Sequence, residues 1–322
     1  SGQRQRFLGR AATIQASDLA ASLRAEGRPE AAGKDAYSVD ELLAVCLARE
    51  YDNSSICSVG SVSPLAMVSY LLAKQTHAPG LTIIALNGGL IDIDAHPMSL
   101  SFIEPMEFRT ARVFWGGDET YHWFYQQGRI THEVITVAQV DRQGRTNNVW
   151  IEAKGKRLRL PGQGGMADVA NLHQNFLLYL TRHTPDRFVS SVSFCSAARG
   201  LLRAGDRTRA GYKPGKVLLI SDLGIFELDE ADERYRLVSI HPGVTLEQVR
   251  QQSGAQFLVA DPLRVTEAPS PQQLQMLRQS VDPLGIRRLE FAPAKQRLSL
   301  IETILRAEAD ALERVGTKSI DD

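Results

Sequence analysis

The chain has 322 residues, with 37 basic and 37 acidic side chains and no formal net charge. A chain of this length buries a core without staples, and the charge balance argues against a nucleic-acid or membrane-surface role, which usually shows a basic excess. Three cysteines, Cys46, Cys57 and Cys195, form neither a metal-spaced pair nor a disulfide framework, which reads as a reducing, cytoplasmic compartment. No apolar run reaches the roughly 18 residues of a membrane span, and no signal-peptide core stands near the start.

Residues 1–37 are rich in Ala, Arg and Gly and read as an N-terminal arm, with a short helix over Thr13–Glu26 and the rest loosely held. Ser38 then caps a helix, with Glu41 three residues on as a capping box and Leu42, Val45, Cys46 and Ala48 as its buried side. Cys57–Leu90 organises the chain: a strand, a small-residue turn (Ser58–Pro64), a helix, a strand (Leu81–Leu86) and a second small-residue turn (Ala85–Leu90). The helix carries Leu65, Val68, Leu71 and Leu72 at helical spacing, and Pro64 suits its first turn. Two strands joined by one helix predict a right-handed parallel crossover, with both turns at the carboxyl edge of the sheet, where open α/β sheets place ligands.

Ile91–Glu107 has no clean period and two prolines, and reads as a long loop over that edge. Gly117 and Asp118 open a short aromatic helix to Gln127, followed by a strand over Glu133–Val140 and a turn at Asp141–Arg145. Leu160–Asp168 is a third small-residue loop, and the spacing of Val169, Leu172, Phe176 and Leu180 predicts a helix after it. RFVSSVSFCS reads as a strand, residues 199–216 as a basic connection, and Gly215–Glu230 as two strands around Asp222-Leu223-Gly224. A further strand, a turn at His241-Pro242-Gly243 and two helices capped by Thr245 and Ser270 follow, and a charged helix, Leu298–Val315, closes the chain. The alternation of strands and helices predicts the α/β class, an open, mostly parallel sheet flanked by helices.

Several of these stretches, in this order, resemble the β subunits of the class I CoA-transferase family, above all the glutaconate CoA-transferase branch. They are THAPGLT (Thr76–Thr82), AQVDRQGRTNN (Ala138–Asn148), PGQGGMAD, LISDLGIFEL and SIHPGVTLEQVRQQSG. The resemblance runs from about Ser38 to Arg287, giving an α/β domain over 38–289, the arm over 1–37 and a helical extension over 290–322, the last two with no expected role beyond a subunit contact. It implies an α-subunit partner in a heterodimer or heterotetramer, and an acyl-CoA substrate. It implies no bound cofactor, coenzyme A being part of the substrate.

The resemblance also implies a site. The family's first turn points backbone N–H groups at the thioester oxygen, which puts an oxyanion hole at Gly60, Ser61 and Val62, with Val62 in place of the second glycine. The family's second turn carries a glutamate that attacks the acyl-CoA; here Leu86 stands in that place, followed by Asn87 and Gly88, which can still shape an acyl-CoA pocket. Leucine is neither nucleophile nor base. Relatives without the glutamate resemble hydrolases that cleave a carbon–carbon bond in a steroid-derived acyl-CoA, or decarboxylases of a branched glutaconyl-CoA. Both reactions need a stabilised enolate, which an oxyanion hole serves. Hydrolytic carbon–carbon cleavage or decarboxylation is therefore expected. A transferase with a glutamate from elsewhere and a non-catalytic subunit supporting the α partner stay open.

Catalytic side chains are not fixed by sequence. Cys57 at a strand end and Glu104 and Glu107 in the long segment are candidates, with Asp92, Asp94 and His96 beside them, while His241 fits a structural hydrogen bond better. Gly162, Gly164 and Gly165 can cradle an anionic acyl end or part of CoA through backbone N–H groups, with Asp168 near a helix start. Arg157, Arg159, Arg203 and Lys213 can meet CoA phosphates or a substrate carboxylate, though scattered surface cations also account for them. No metal-ligand spacing is present.

Overall fold

The computed structural model describes residues 15–26, 36–60, 63–86, 89–153, 155–200, 205–229 and 231–321. Its elements begin with α1 (Ala16–Glu26), α2 (Val39–Ala48), β1 (Ile56–Val59), α3 (Pro64–Gln75), β2 (Thr82–Ala85), β3 (Leu90–Ile93), α4 (Ile103–Thr110) and β4 (Ala111–Phe114). Next come α5 (Gly117–Thr120), which runs into a π-helical turn (Tyr121–Tyr125), then β5 (His132–Thr136), β6 (Gln139–Asp141), β7 (Thr146–Asn147), β8 (Trp150–Ala153) and β9 (Lys156–Arg159). α6 (Met166–Leu172), β10 (Asn175–Leu180), β11 (Phe188–Val189), α7 (Asp206–Arg209), β12 (Val217–Ser221), β13 (Gly224–Asp229) and β14 (Arg234–Ile240) follow. The chain ends with α8 (Leu246–Gln251), β15 (Leu258–Val265), α9 (Pro271–Met276), a second π-helical turn (Leu277–Val281), a 3-10 turn (Ile286–Glu290) and α10 (Ala294–Asp321).

These elements form two compact units. The first comprises Ser1–Ser54, Gly60–Gly116 and Pro269–Asp322. Its α2 is buried on every side from Asp40 to Ala48, so its two acidic residues need partners. Ser38 N–H donates to Glu41 at 3.0 Å, closing the expected capping box, while Arg278 Nε donates to Glu41 at 2.6 Å. Arg287, fully buried, reaches Asp40 at 2.8 Å, Asp282 at 2.9 Å and Glu41 at 3.3 Å. α3 buries Leu65, Val68, Leu71 and Leu72, as its spacing predicts. β2, β3 and β4 pair antiparallel. α1 packs on α10, with Leu19 and Leu23 against Ala311, Leu312, Phe102 and Met106. The two terminal extensions thus share one apolar cluster.

The second unit comprises Ser55–Val59 and Gly117–Ala268. Its strands lie in the order β15-β14-β13-β12-β10-β5-β1. The run β1, β5, β10, β12 is parallel throughout. β12, β13 and β14 turn back on one another as antiparallel neighbours, and β15 returns parallel to β14. This is the open sheet with a parallel middle that the strand–helix alternation predicts, with smaller sheets β11-β6-β7 and β8-β9 beside it.

Four expectations about elements are corrected. Ile91–Glu107 is not one loop: β3 ends in it and α4 begins in it. Pro105 hides the helix, yet proline is tolerated in a first helical turn. The helix expected through Phe176 and Leu180 stops at Leu172, because Asn175–Leu180 is a strand buried at every position. A strand covered on both faces loses its alternation and imitates a buried helix. The strand expected over Glu133–Val140 breaks between β5 and β6, where Ala138 N–H donates to Asn148 Oδ1 at 2.7 Å. Of RFVSSVSFCS, Phe188–Val189 alone is strand.

Candidate functional site

In the first unit, Gly60 is exposed and follows β1 in the chain. Ser61, Val62, Asn87 and Gly88 lie outside the described residues. Pro64 occupies the first turn of α3, and the next N–H, of Leu65, donates to Glu290 Oε1 at 2.8 Å. One donor of this helix end is therefore already held by a carboxylate. Leu86 follows β2 directly and is half-buried. Gly89 N–H donates to Leu86 O at 3.1 Å, with Gly89 at φ +59°, a left-handed turn that glycine adopts freely.

Glu104 and Glu107 sit on α4, three residues apart and so on one face. Glu104 is exposed; Glu107 is half-buried, and burial, helped by the Glu104 charge, pushes its carboxyl up to about 7. Asp92 pairs with Lys74 at 3.0 Å and Arg112 at 3.2 Å. Burial pushes His96 down to about 4. Its Nδ1 lies 2.9 Å from Pro97 O.

In the second unit, the AQVDRQGRTNN stretch is a fastening device for the third small-residue loop. Asp141 accepts from Arg145 Nε at 2.7 Å, and Gly144 N–H closes the turn on Asp141 O at 2.9 Å. Asn148 ties to Thr136 O through its side chain at 3.0 Å, and its own carbonyl accepts Gly162 N–H at 2.9 Å. Gly162 (φ +122°) and Gly164 (φ +50°) take left-handed conformations, and a Cβ at Gly164 or Gly165 would meet nothing within 4 Å. The loop is thus pinned at one end and open at its glycines. α6 begins at Met166, and Asp168 in its first turn accepts Tyr121 Oη at 2.6 Å. Arg157 stacks over Trp150 at 4.1 Å on the β8–β9 hairpin, and Lys213 gives its carbonyl to Arg207 Nε at 3.2 Å. Arg203 lies outside the described residues. His241 is structural, with Nε2 2.7 Å from Ser221 O and Nδ1 3.0 Å from Thr266 Oγ1.

Cys57 is fully buried in β1. The residue beside it, Ser58, belongs to a cluster that sequence reasoning missed. Ser58 Oγ donates to Glu133 Oε2; Tyr125 Oη lies 2.8 Å from Ser58 Oγ and 3.1 Å from Glu133 Oε2. His173 Nδ1 stands 3.5 Å from the same oxygen, and its ring meets the Tyr125 ring edge-on at 4.7 Å. All four residues are buried. The parallel register that sets Ser58 opposite Glu133 puts the carboxyl there, and the π-helical turn brings in Tyr125 while stacking it on Tyr121 at 5.4 Å. Burial pushes the Glu133 carboxyl up to about 7 against the downward pull of its two hydroxyl partners. Burial, with the Arg199 and Arg207 charges, drives His173 down to about 3, so its ring is neutral. The available signal was a Glu inside the apolar strand HEVIT, because an acidic residue at a covered strand position needs a reason.

Comparison with known proteins agrees with this fold. The family model described as "Coenzyme A transferase" matches residues 41–252. The chain is 32% identical over 248 residues to a 3-oxoadipate CoA-transferase subunit of Pseudomonas knackmussii, covering 76% of this chain and 93% of that one. It is 27% identical over 257 residues to the cholesterol ring-cleaving hydrolase IpdB subunit of Mycobacterium tuberculosis, covering 78% and 97%. Among solved structures, the decarboxylase AibA/AibB superposes with a TM-score of 0.67 at 27% identity, over 79% of this chain and 99% of that one. A match of this extent, joined to the fold just described, means that the chain belongs to the coenzyme A transferase family.

Proposed function

We propose that the chain is the β-type subunit of a two-subunit acyl-CoA enzyme that works through an enolate of the thioester, in hydrolytic carbon–carbon cleavage or decarboxylation, rather than through a covalent enzyme–CoA intermediate. The observation that carries this reading is Leu86 at the end of β2, where the family resemblance puts the attacking glutamate. An aliphatic side chain forms no thioester. Backbone N–H groups at Gly60, Ser61 and Val62 can still polarise the thioester oxygen, because a main-chain donor does not depend on side-chain type. Asn87, Gly88 and the glycines at 162, 164 and 165 are the expected contacts of the acyl-CoA, and Glu107, held near neutrality, is a candidate acid or base. Relatives named as a ring-cleaving hydrolase and a decarboxylase support non-transferase chemistry. No bound cofactor enters this scheme: coenzyme A arrives as part of the substrate. The partner is an α-type subunit of the same family, as the naming of the relatives by paired subunits supports. We place the pair in the cytoplasm, in keeping with three free cysteines; no helix among the described residues is long and apolar enough to cross a membrane.

The transferase reading also has an observation behind it, the 32% identity to a CoA-transferase subunit. One experiment separates the two. The chain and its α-type partner, purified together, are incubated with a panel of 3-oxoacyl-, glutaconyl- and ring-bearing acyl-CoAs, and products are followed by mass spectrometry. Products that have lost carbon dioxide, or have been opened by water, support the enolate reading. Movement of CoA to an acceptor acid, with an enzyme–CoA thioester trapped by borohydride, supports transfer and overturns it. If the partner alone performs the reaction, this chain is a supporting subunit.

A further inference from the structure

Among the described residues, the buried carboxyl of Glu133 meets no cation that would make it a structural ion pair. No lysine or arginine among the described residues pairs with it, and its neighbours are two hydroxyls and a neutral imidazole. A glutamine or an apolar residue would fill the same space without the cost of burying an ionisable group. Three side chains from three elements nevertheless converge on one oxygen, Oε2: Ser58 from β1, Tyr125 from the π-helical turn and His173 from the end of α6. π-helical turns are rare and frequently mark functional sites. His173 is fully buried, and neither ring nitrogen makes a hydrogen bond to a described residue. Arg207 holds the chain around it, donating to Asn171 O and His173 O at 2.9 Å each, and Arg199 donates to Gln174 O at 3.0 Å. The guanidinium charges oppose protonation of the ring, which leaves a neutral imidazole facing an acid. On the other side, Tyr125 stacks on Tyr121, whose hydroxyl is tied to Asp168 at the foot of the glycine loop.

We propose that Glu133 is the proton store of the acyl-CoA reaction, exchanging a proton with the substrate through the Ser58 hydroxyl while Tyr125 and His173 position its carboxyl; this rests on the enolate reading above. In the protonating direction the Glu133 O–H bond breaks and Ser58 Oγ takes that proton. The proton Ser58 already carried passes to the enolate carbon, whose electron pair forms the new C–H bond. The carboxylate left behind accepts the Ser58 and Tyr125 hydroxyl bonds that the structure shows. Proton abstraction is the same sequence reversed. Glu133 acts behind Ser58, so it is a positioning and proton-holding residue and not a nucleophile. The carboxyl titrates near 7, where a store can both give and take.

The test has two arms. Infrared difference spectra of the full chain alone, titrated from acid to base, should show protonated carboxyls lost with midpoints near 7, one component of which disappears in Glu133→Gln while the other, from Glu107, stays. In the assembled pair, with the acyl-CoA found to turn over in the screen above, Glu133→Gln should lower kcat by about 10² or more with KM essentially unchanged, and erase the pH limb near neutrality. Glu133→Asp should restore part of the rate. Tyr125→Phe should move the limb to higher pH, because it removes a bond that favours the carboxylate. The inference is overturned by a missing infrared signal, by an active Glu133→Gln with an unchanged pH profile, or by a CoA thioester trapped on Glu133. An active wild-type pair with an unaffected Glu133→Gln removes the proton store and leaves the enolate reading standing. A wild-type pair that turns over no acyl-CoA removes both.

Discussion

On the proposed reading, Leu86 and Glu133 make opposite demands on the same chemistry. Leu86 stands where the family resemblance puts a reactive carboxylate, whereas Glu133 holds a buried carboxyl behind the Ser58 hydroxyl. Leu86→Glu is therefore the sharpest substitution at this scale. It should give the assembled pair a borohydride-sensitive enzyme–CoA thioester, read as a mass gain on this chain, that the wild-type pair lacks. A wild-type pair that already shows the adduct would remove the reason for reading Leu86 as a discarded nucleophile. Glu133 also writes itself into stability. Its carboxyl rises from 4.5 to about 7 on folding, so the folded chain holds the proton more tightly. The stabilisation is complete below the unfolded value and is lost as pH rises through 7. That range corresponds to about 3 kcal/mol for this one group. Glu133→Gln should therefore gain on wild type in urea denaturation as pH goes from 5 to 8, and hold little or no advantage at pH 5.

Among the elements, α10 shows how a helix can be anchored by one buried acid. Glu308 is fully buried and accepts from Ser99 Oγ at 2.8 Å, Ser101 N–H at 3.0 Å, and Leu100 N–H and Ser101 Oγ as well. It thereby organises the turn from which α4 starts, where Phe102 N–H donates to Ser99 Oγ at 2.8 Å. Glu308→Ala would leave buried donors unpaired and should cost about 2–4 kcal/mol, read as a lower urea midpoint with an unchanged slope. This contact explains why α4 was illegible in the sequence: its start is set by a residue about 200 positions away, and the local text shows no cap and two prolines. Helices with their signals written locally were legible, as with α2 under Ser38 and Glu41, α8 under Thr245 and Gln248, and α9 under Ser270. β10 failed for the opposite reason, since full burial erased the alternation that marks a strand. The glycine loop over 160–165 could be read as a loop from composition alone. The Ser58–Glu133 pairing could not, because strand register depends on neighbours 75 residues apart.

At the scale of the molecule, the buried titratable groups are unevenly shared between the two units, and this makes a prediction about acid. The second unit buries His173, His183 and His241, pushed down to about 3, 4 and 4. The first unit buries His96, at about 4, and opposes it with Glu107, raised to about 7. A lowered histidine binds its proton in the unfolded chain first, so its stabilisation is present above 6.5 and is lost as pH falls through 4. A raised carboxyl works in the other direction over nearly the same range. In the first unit one histidine meets one carboxyl, and the two effects nearly cancel. In the second, three histidines meet Glu133, and Asp222, also raised by burial, offsets part of the rest. The unfolded form of the second unit then leads by about one proton or more between about pH 4.5 and 6, which means a loss on the order of 1.4 kcal/mol per pH unit. Hydrogen exchange followed by mass spectrometry, corrected for intrinsic rates, should show protection of β10, β12 and β14 falling from pH 7 to pH 5 while α2 and α3 hold theirs. His183→Gln should blunt that fall, since His183 bonds Ser221 Oγ and Ser253 Oγ at 3.1 and 2.9 Å as a neutral ring, and an uncharged amide keeps a polar partner there without the proton. Equal loss in both units would mean that the shared term, carboxylates paired across the whole surface, outweighs the buried histidines.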